Sequence, residues 1–485
     1  MRMTLPVSST LRRGVRRAGA PGLALLLGVA AACHRGTSPT AAAVAPTAAA
    51  CAAPVASSTA SLAGTVITDP LVTFDTAWAI IARTHWDTTY NGVDWRGVRD
   101  ELRPRAAAAK TTGELRSVLS DMVGRLKQSH FSIIPREVSD ATSGGSAPSV
   151  DQNGTTGATL RFVEGAIVVT EVPPASAAGR AGVRQGWQLE AVQGCPVATR
   201  LARIPRDLDP RRAAFMAFSL ANQMLAGPVG EAVRATFRDG SGRLRVVDIV
   251  RDREPGTLAK FGNLPPFPAS LTHERVARDG KTIGIIRFNI WMPVLSPQFD
   301  AAVDSLRDTD AIIIDVRGNF GGVGGMSMGV AGHFLDSALT IGTMHQRGAA
   351  LKFVANPRRV DTRARGVTPF AGPLALLVDE LSVSTTEIFA GGLQALGRAR
   401  VFGTQTSGQA LPSVPERLPN GDILYHAIAD FLSPTGKPLE GDGVRPDVLT
   451  PLTRRALLDG QDPAREAALA WAAQAAKLTV KGATP

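Results

Sequence analysis

An α/β (α+β) core, with a small helical module and a β-rich inserted domain ahead of it, is the fold class this sequence predicts, on three observations. Four short apolar runs, Thr282–Phe288, Ala311–Val316, Leu374–Val378 and Ala399–Phe402, alternate with stretches of helical length, as strands of a sheet covered on both faces do. Phe74, Trp78, Ile81 and His85 recur at helical spacing. Between about 155 and 253 the pattern changes to short strands punctuated by turn residues. A chain of 485 residues is expected to fold as two or three domains.

The first 33 residues read as an export signal. Arg2, Arg12, Arg13, Arg16 and Arg17 precede the apolar run Gly22–Ala32 with no acidic residue among them. The run is short for a membrane span. It ends in small residues and Cys33, which resembles a lipoprotein cleavage site with Cys33 as the lipidated residue. Ala30 departs from the larger aliphatic residue usual there, and cleavage near the alanines is the alternative. The formal charge of +11 owes much to those five arginines, and no basic stripe follows, so nucleic acid is not an expected partner. Residues 34–66, rich in Ala, Ser, Thr and Pro, read as a disordered linker. Cys51 lies in that linker and Cys195 in a turn, which does not read as a disulfide framework.

Residues 67–136 form the helical module: the Phe74–His85 pattern, a second helix over Val98–Ala109 and a third from the capping-type start at Thr112 to Leu126. Ser129-His130-Phe131 then leads into an extended run. Residues 150–254 carry strands Gly157–Phe162, Ala166–Val172 and Trp187–Val192 around a short helix ending at Gly186. The pattern from Pro174 to Leu189 resembles a PDZ domain, which implies extended peptides added to a sheet edge. The core spans 255–455, and 456–485 read as a helical tail.

Two turns in the core carry the chemistry. Strand Leu374–Val378 runs into Ser382-Val383-Ser384-Thr385-Thr386-Glu387 and an apolar helix, where a hydroxyl meets free amides and the positive helix end. Taken alone, these hydroxyls read as helix caps. Asp315-Val316-Arg317-Gly318-Asn319-Phe320-Gly321-Gly322 follows another strand, and its paired glycines can aim amides at an oxyanion. A dinucleotide fingerprint is the competing reading of Gly322-x-Gly324, but Ser327 stands where its third glycine belongs.

The order of these segments, with Phe261–Pro266, Gly284–Phe288 and Glu440-Gly441-Asp442-Gly443-Val444-Arg445-Pro446-Asp447, resembles the carboxy-terminal-processing, or tail-specific, serine peptidases, over roughly 69–450. The resemblance implies a peptidase core with Ser384 as nucleophile. It also implies an oxyanion hole from the amides of Ser384 and of Gly321 or Gly322. Family members with a Ser–Lys dyad carry a lysine where this chain has Gln409, so that mechanism would need Lys437 or another distant lysine. The chain is more similar to the tricorn-core-like branch, whose Ser-His-Ser-Glu site maps onto Ser129, His130, Ser384 and Glu440. A histidine oriented by a carboxylate is a competent base at neutral pH. Asp442 is an alternative late acid and His426 a rival base.

The expectation is therefore an exported serine endopeptidase, periplasmic or outer-surface and lipid-anchored. Its partners are peptide or protein substrates, reached in part through the PDZ-like domain, and it touches the membrane only through the lipid. No cofactor and no metal is expected, since no zinc-ligand motif appears. The alternative is a catalytically idle peptide- or ligand-binding protein on the same scaffold, favoured by Gln409.

Overall fold

The computed structural model describes residues 51, 69–137, 154–262 and 266–481; the expected export signal, Cys33 and nearly all of the expected 34–66 linker lie outside them. Three helices open the described chain: α1 (Pro70–Thr84), α2 (Trp95–Ala108) and α3 (Thr112–Gly124). Asp69 caps α1, Asp94 caps α2, and Thr111 with Glu114 forms a capping box on α3, so each start satisfies its orphan amides locally. Phe74, Ile81, Leu102, Leu115, Leu119 and Met122 close their shared core, which also takes in Leu418 and Leu424 from the far end of the chain.

Strand β1 (Ser132–Ile134) leads to the inserted domain, residues 154–253, an antiparallel sheet in the order β2 (Thr159–Val163), β3 (Ala166–Glu171), β4 (Gln188–Val192), β5 (Ala232–Arg238) and β6 (Leu244–Val250). Helix α4 (Pro210–Leu225) covers one face, burying Ala217, Ala221 and Leu225 against Leu160, Val169 and Phe237. Cys195 in this domain is disulfide-bonded to Cys51, with Cα atoms 5.1 Å apart. This corrects the sequence expectation. Pairing depends on spatial approach, which a separation of 144 residues along the chain does not reveal.

The core is a mixed sheet in the order β7 (Leu271–Arg278), β8 (Lys281–Phe288), β9 (Ala311–Asp315), β12 (Leu374–Val378), β13 (Arg400–Gly403) and β17 (Val448–Leu449). Only the β7–β8 pair is antiparallel. Strands β9 and β12 are buried at every residue, as a sheet covered on both faces requires. Helices α5 (Ser296–Leu306), α6 (Gly324–Ala331) and α7 (Thr385–Ala395) take one face. The tail helix α8 (Pro463–Lys481) takes the other, seating Ala468, Leu469, Ala472 and Ala473 on Ile283, Ile313 and Leu377.

Two outlying sheets complete the core. One is β11 (Ala349–Ala355), β10 (Leu339–Gln346) and β16 (Asp430–Leu432); the other joins β14 (Ser413–Arg417) and β15 (Ile423–Ala427) to β1. The β1–β15 register sets Ser132 opposite Tyr425, binding the end of the helical module to the core. Arg116 of α3 reinforces that junction, reaching buried Asp422 at 2.6 Å and Glu137 at 2.7 Å.

Trp291 lies where the Gly321 and Ser384 turns meet the core. It is fully buried, stacks edge-on to Phe288 at 4.8 Å and packs against Phe389 of α7 at 5.0 Å. Its indole N–H donates to Thr386 Oγ1 at 2.9 Å, and its backbone brackets Gly321 to Val323. Truncation there removes a large buried side chain and one of the hydrogen bonds of the Thr386 hydroxyl. Trp291→Ala is expected to cost about 3–5 kcal/mol by urea unfolding; a loss under about 1 kcal/mol would contradict this packing.

Candidate active site

The Ser384 turn is built by strand–helix geometry. Strand β12 ends at Val378, and Asp379 gathers the turn that follows: its carboxylate accepts from Gly318 N at 2.8 Å, Leu381 N at 3.1 Å and Arg161 Nε at 2.8 Å. The buried Arg161–Asp379 ion pair thus ties the inserted domain to the turn. Ser384 stands just before α7 with φ 59 and ψ −119, a region that a residue with a Cβ occupies only when its surroundings impose it.

What imposes it is Glu387, one turn into α7. Fully buried, its carboxylate accepts from Ser384 N at 3.1 Å, Gln409 N at 3.0 Å, Gly408 N at 2.7 Å and Thr406 Oγ1 at 2.6 Å. Burial pushes its pKa up to about 7 against those four donors. The Ser384 amide also reaches Gln409 O at 2.9 Å.

Two of the amides expected to bind an oxyanion already have acceptors. The Ser384 amide is turned back to Gln409 and Glu387 by the positive φ, and the Gly321 amide donates to Asn319 Oδ1 at 3.0 Å. Among the described residues, the amides of Gly322 and Thr385 find no acceptor. Gly321 and the Ser384 turn are packed so closely that a Cβ on Gly321 would fall 2.6 Å from the Ser384 Cβ and 3.0 Å from Thr385 N. Thr385 escaped the sequence reading, although the first amides of a helix have no intrahelical partner. An oxyanion donor on the residue after the nucleophile is the arrangement of a nucleophile elbow.

Across the site, Ser129, His130 and Glu440 form one hydrogen-bonded chain. Ser129 Oγ donates to Glu440 Oε2 at 2.8 Å and lies 2.7 Å from His130 Nδ1, while Ser129 N donates to Glu440 Oε1 at 2.9 Å. A hydroxyl has one proton, here committed to Glu440, so it accepts from an Nδ1–H and leaves Nε2 as the basic nitrogen. Burial lowers the His130 pKa to about 4, keeping the ring neutral at physiological pH. Ala410 N at 3.1 Å and Arg212 at 3.4 Å also reach Glu440. Arg212 lies on α4, whose Phe215 and Phe218 pack on Phe320 of the glycine turn at 5.7 Å and 5.6 Å.

His130 and Ser384 share the walls of one cavity of about 370 Å³, with Gly322 and Thr385 beside them, and no hydrogen bond joins the two side chains. The rival residues lie elsewhere. Asp442 turns its carboxylate to Arg445 at 2.7 Å. His426 is buried between Glu416 at 3.1 Å and Thr84 at 3.3 Å. Lys437 sits exposed in the turn after Ser433, and the Gln409 amide donates to Ser407.

Comparison with known proteins defines the class. Residues 282–450 match peptidase family S41, and residues 68–124 match the tricorn protease C1 domain. The chain is a serine-type peptidase. It is 26% identical over 392 residues to the chloroplastic carboxyl-terminal-processing peptidase 2 of Arabidopsis thaliana, covering 79% of this chain and 69% of the relative. It is 25% identical over 387 residues to a carboxyl-terminal-processing protease of Picosynechococcus, covering 77% and 82%. The fold resembles the photosystem II D1 C-terminal processing protease, with TM-score 0.55 and 18% identity over 84% of this chain and 98% of the other. Mature CPAF also gives 0.55, at 14% identity over 86% and 98%.

The depressed His130 pKa has a pH consequence. With His130 as the base proposed below, kcat/KM is expected to hold its plateau through pH 6, with the acid limb falling near 4. An acid limb at the ordinary imidazole value near 6.5, measured on a peptide substrate, would show that His130 is not held neutral by burial.

Proposed function

We propose that this chain is an exported serine endopeptidase that cleaves peptide or protein substrates, with Ser384 as nucleophile and His130 as base. The observation that carries the reading is the Glu440–Ser129–His130 chain, whose imidazole opens onto the same cavity as Ser384. In the reaction, Nε2 of His130 takes the Ser384 hydroxyl proton as the oxygen attacks the peptide carbonyl. The imidazolium then gives that proton to the leaving amine, and water repeats the cycle on the acyl-enzyme. Glu440, through Ser129, orients the ring and stabilises its charged form. The amides of Gly322 and Thr385 face the developing oxyanion. The separation of Ser384 from His130 in the free enzyme is closed by substrate, as catalytic hydrogen bonds often tighten only in the complex.

Export is supported by the layout of the first 33 residues and by the Cys51–Cys195 bond, which belongs to an oxidising compartment. The destination is the periplasm or outer surface, with Cys33 as a lipid anchor. No described helix is long and apolar enough to cross a membrane. The inserted domain is PDZ-like in this reading and captures part of the peptide chain. Arg212, Phe215 and Phe218 of its α4 carry its position to Glu440 and the glycine turn.

Ser384→Ala and His130→Ala are each expected to lower kcat on a peptide substrate by at least ~10³-fold with unchanged circular dichroism. Ser129→Ala is expected to lose about 10²-fold, because the ring loses its link to the carboxylate. Full activity in Ser384→Ala would sink the assignment. Specific peptide binding without cleavage in the wild-type chain would instead favour the idle binding protein.

A further inference from the structure

We infer that the cavity beside Ser384 selects a large apolar side chain, such as Leu, Met or Phe, on the acyl side of the scissile bond. It rejects alanine and charged residues there. The inference rests on the peptidase reading and names the substrate class of that site.

Ser384, Gly322 and His130 share the walls of this cavity with Phe261, Phe267, Met292, Met344, Phe353 and Ile428. A peptide whose carbonyl carbon sits at Ser384, with its oxygen toward the Gly322 and Thr385 amides, must send its neighbouring side chain along this wall. Among the described residues none that lines it is an acid, a lysine or an arginine, and His130 is neutral because burial lowers its pKa. A charged substrate side chain would therefore enter without a partner, which is costly in an apolar site.

Size gives the second half of the argument. The volume of about 370 Å³ is more than twice that of an apolar cavity of ~150 Å³ known to accept benzene. A methyl group would leave it largely empty. Phe353 fixes one wall, held edge-on to Phe431 at 5.1 Å, while Met292 and Met344 supply adaptable surface. Gly324 lines the same wall; a Cβ there would stand 3.1 Å from the Phe353 ring, so the absence of a side chain keeps the space open.

The test is digestion of a defined peptide mixture by the full chain, with cleavage sites read by mass spectrometry and Ser384→Ala as control. Cleavage after Leu, Met or Phe is expected to exceed cleavage after Ala by about 10²-fold in kcat/KM. Ile428→Trp, which fills the cavity from a half-buried position, is expected to reduce that ratio at least tenfold. Ser384-dependent cleavage that favours Ala or charged residues would overturn the inference while leaving the peptidase reading intact. A ratio unmoved by Ile428→Trp would also overturn it, since another surface would then set the preference. Absence of any Ser384-dependent cleavage across the mixture would overturn the peptidase reading and this inference with it.

Discussion

One buried carboxylate governs the geometry of this molecule's reactive end. Glu387 sits without solvent beneath Ser384 and accepts from two amides of the Gly408–Gln409 turn, the hydroxyl of Thr406 and the amide of Ser384 itself. Burying a carboxyl is costly, which is why its pKa rises. The four donors offset that cost, and the return is a strained serine backbone that points its own amide away from the pocket. The next residue along the turn, Ala410, donates to Glu440, so the same carboxylate indirectly places the acid of the opposite half-site.

The second half-site arrives from 254 residues upstream in the chain, counted from Ser384 to His130. Such a distance is bridged by strand pairing and packing. Register across β1 and β15 sets the residues just after His130 against Tyr425, and the His130 and Tyr425 rings lie 5.8 Å apart. Leu418 and Leu424 close the helical module's core from the other side. Each contact is ordinary; together they hold an imidazole in place with no covalent link nearby. The inserted domain adds a third support, through the Arg161–Asp379 ion pair and the Arg212 contact to Glu440.

Much of this was legible in the residue pattern, because the signals were local. The apolar runs at 282–288, 311–316 and 374–378 lie in fully or mostly buried strands, and the capping-type start read at Thr112 falls one residue after the observed cap, Thr111. The candidate residues were found by motif and order, and the geometry brings Ser129, His130 and Glu440 into contact while leaving Asp442 and His426 engaged elsewhere. What sequence could not supply was orientation. Which way the Ser384 amide points depends on its positive φ, and the amide without an acceptor is the next one, Thr385. The Cys51–Cys195 pairing escaped for the same reason, being a fact of proximity and not of spacing.

That disulfide has a topological consequence. Cys51 and Cys195 close a covalent ring that contains Ser129 and His130, while Ser384 and Glu440 lie outside it. A single backbone cut anywhere within the ring would therefore leave the histidine segment chemically joined to the half of the chain that bears the serine. Between His130 and Cys195 the chain thus has two covalent routes and a nick severs only one, whereas from Cys195 to Ser384 the backbone is the single route.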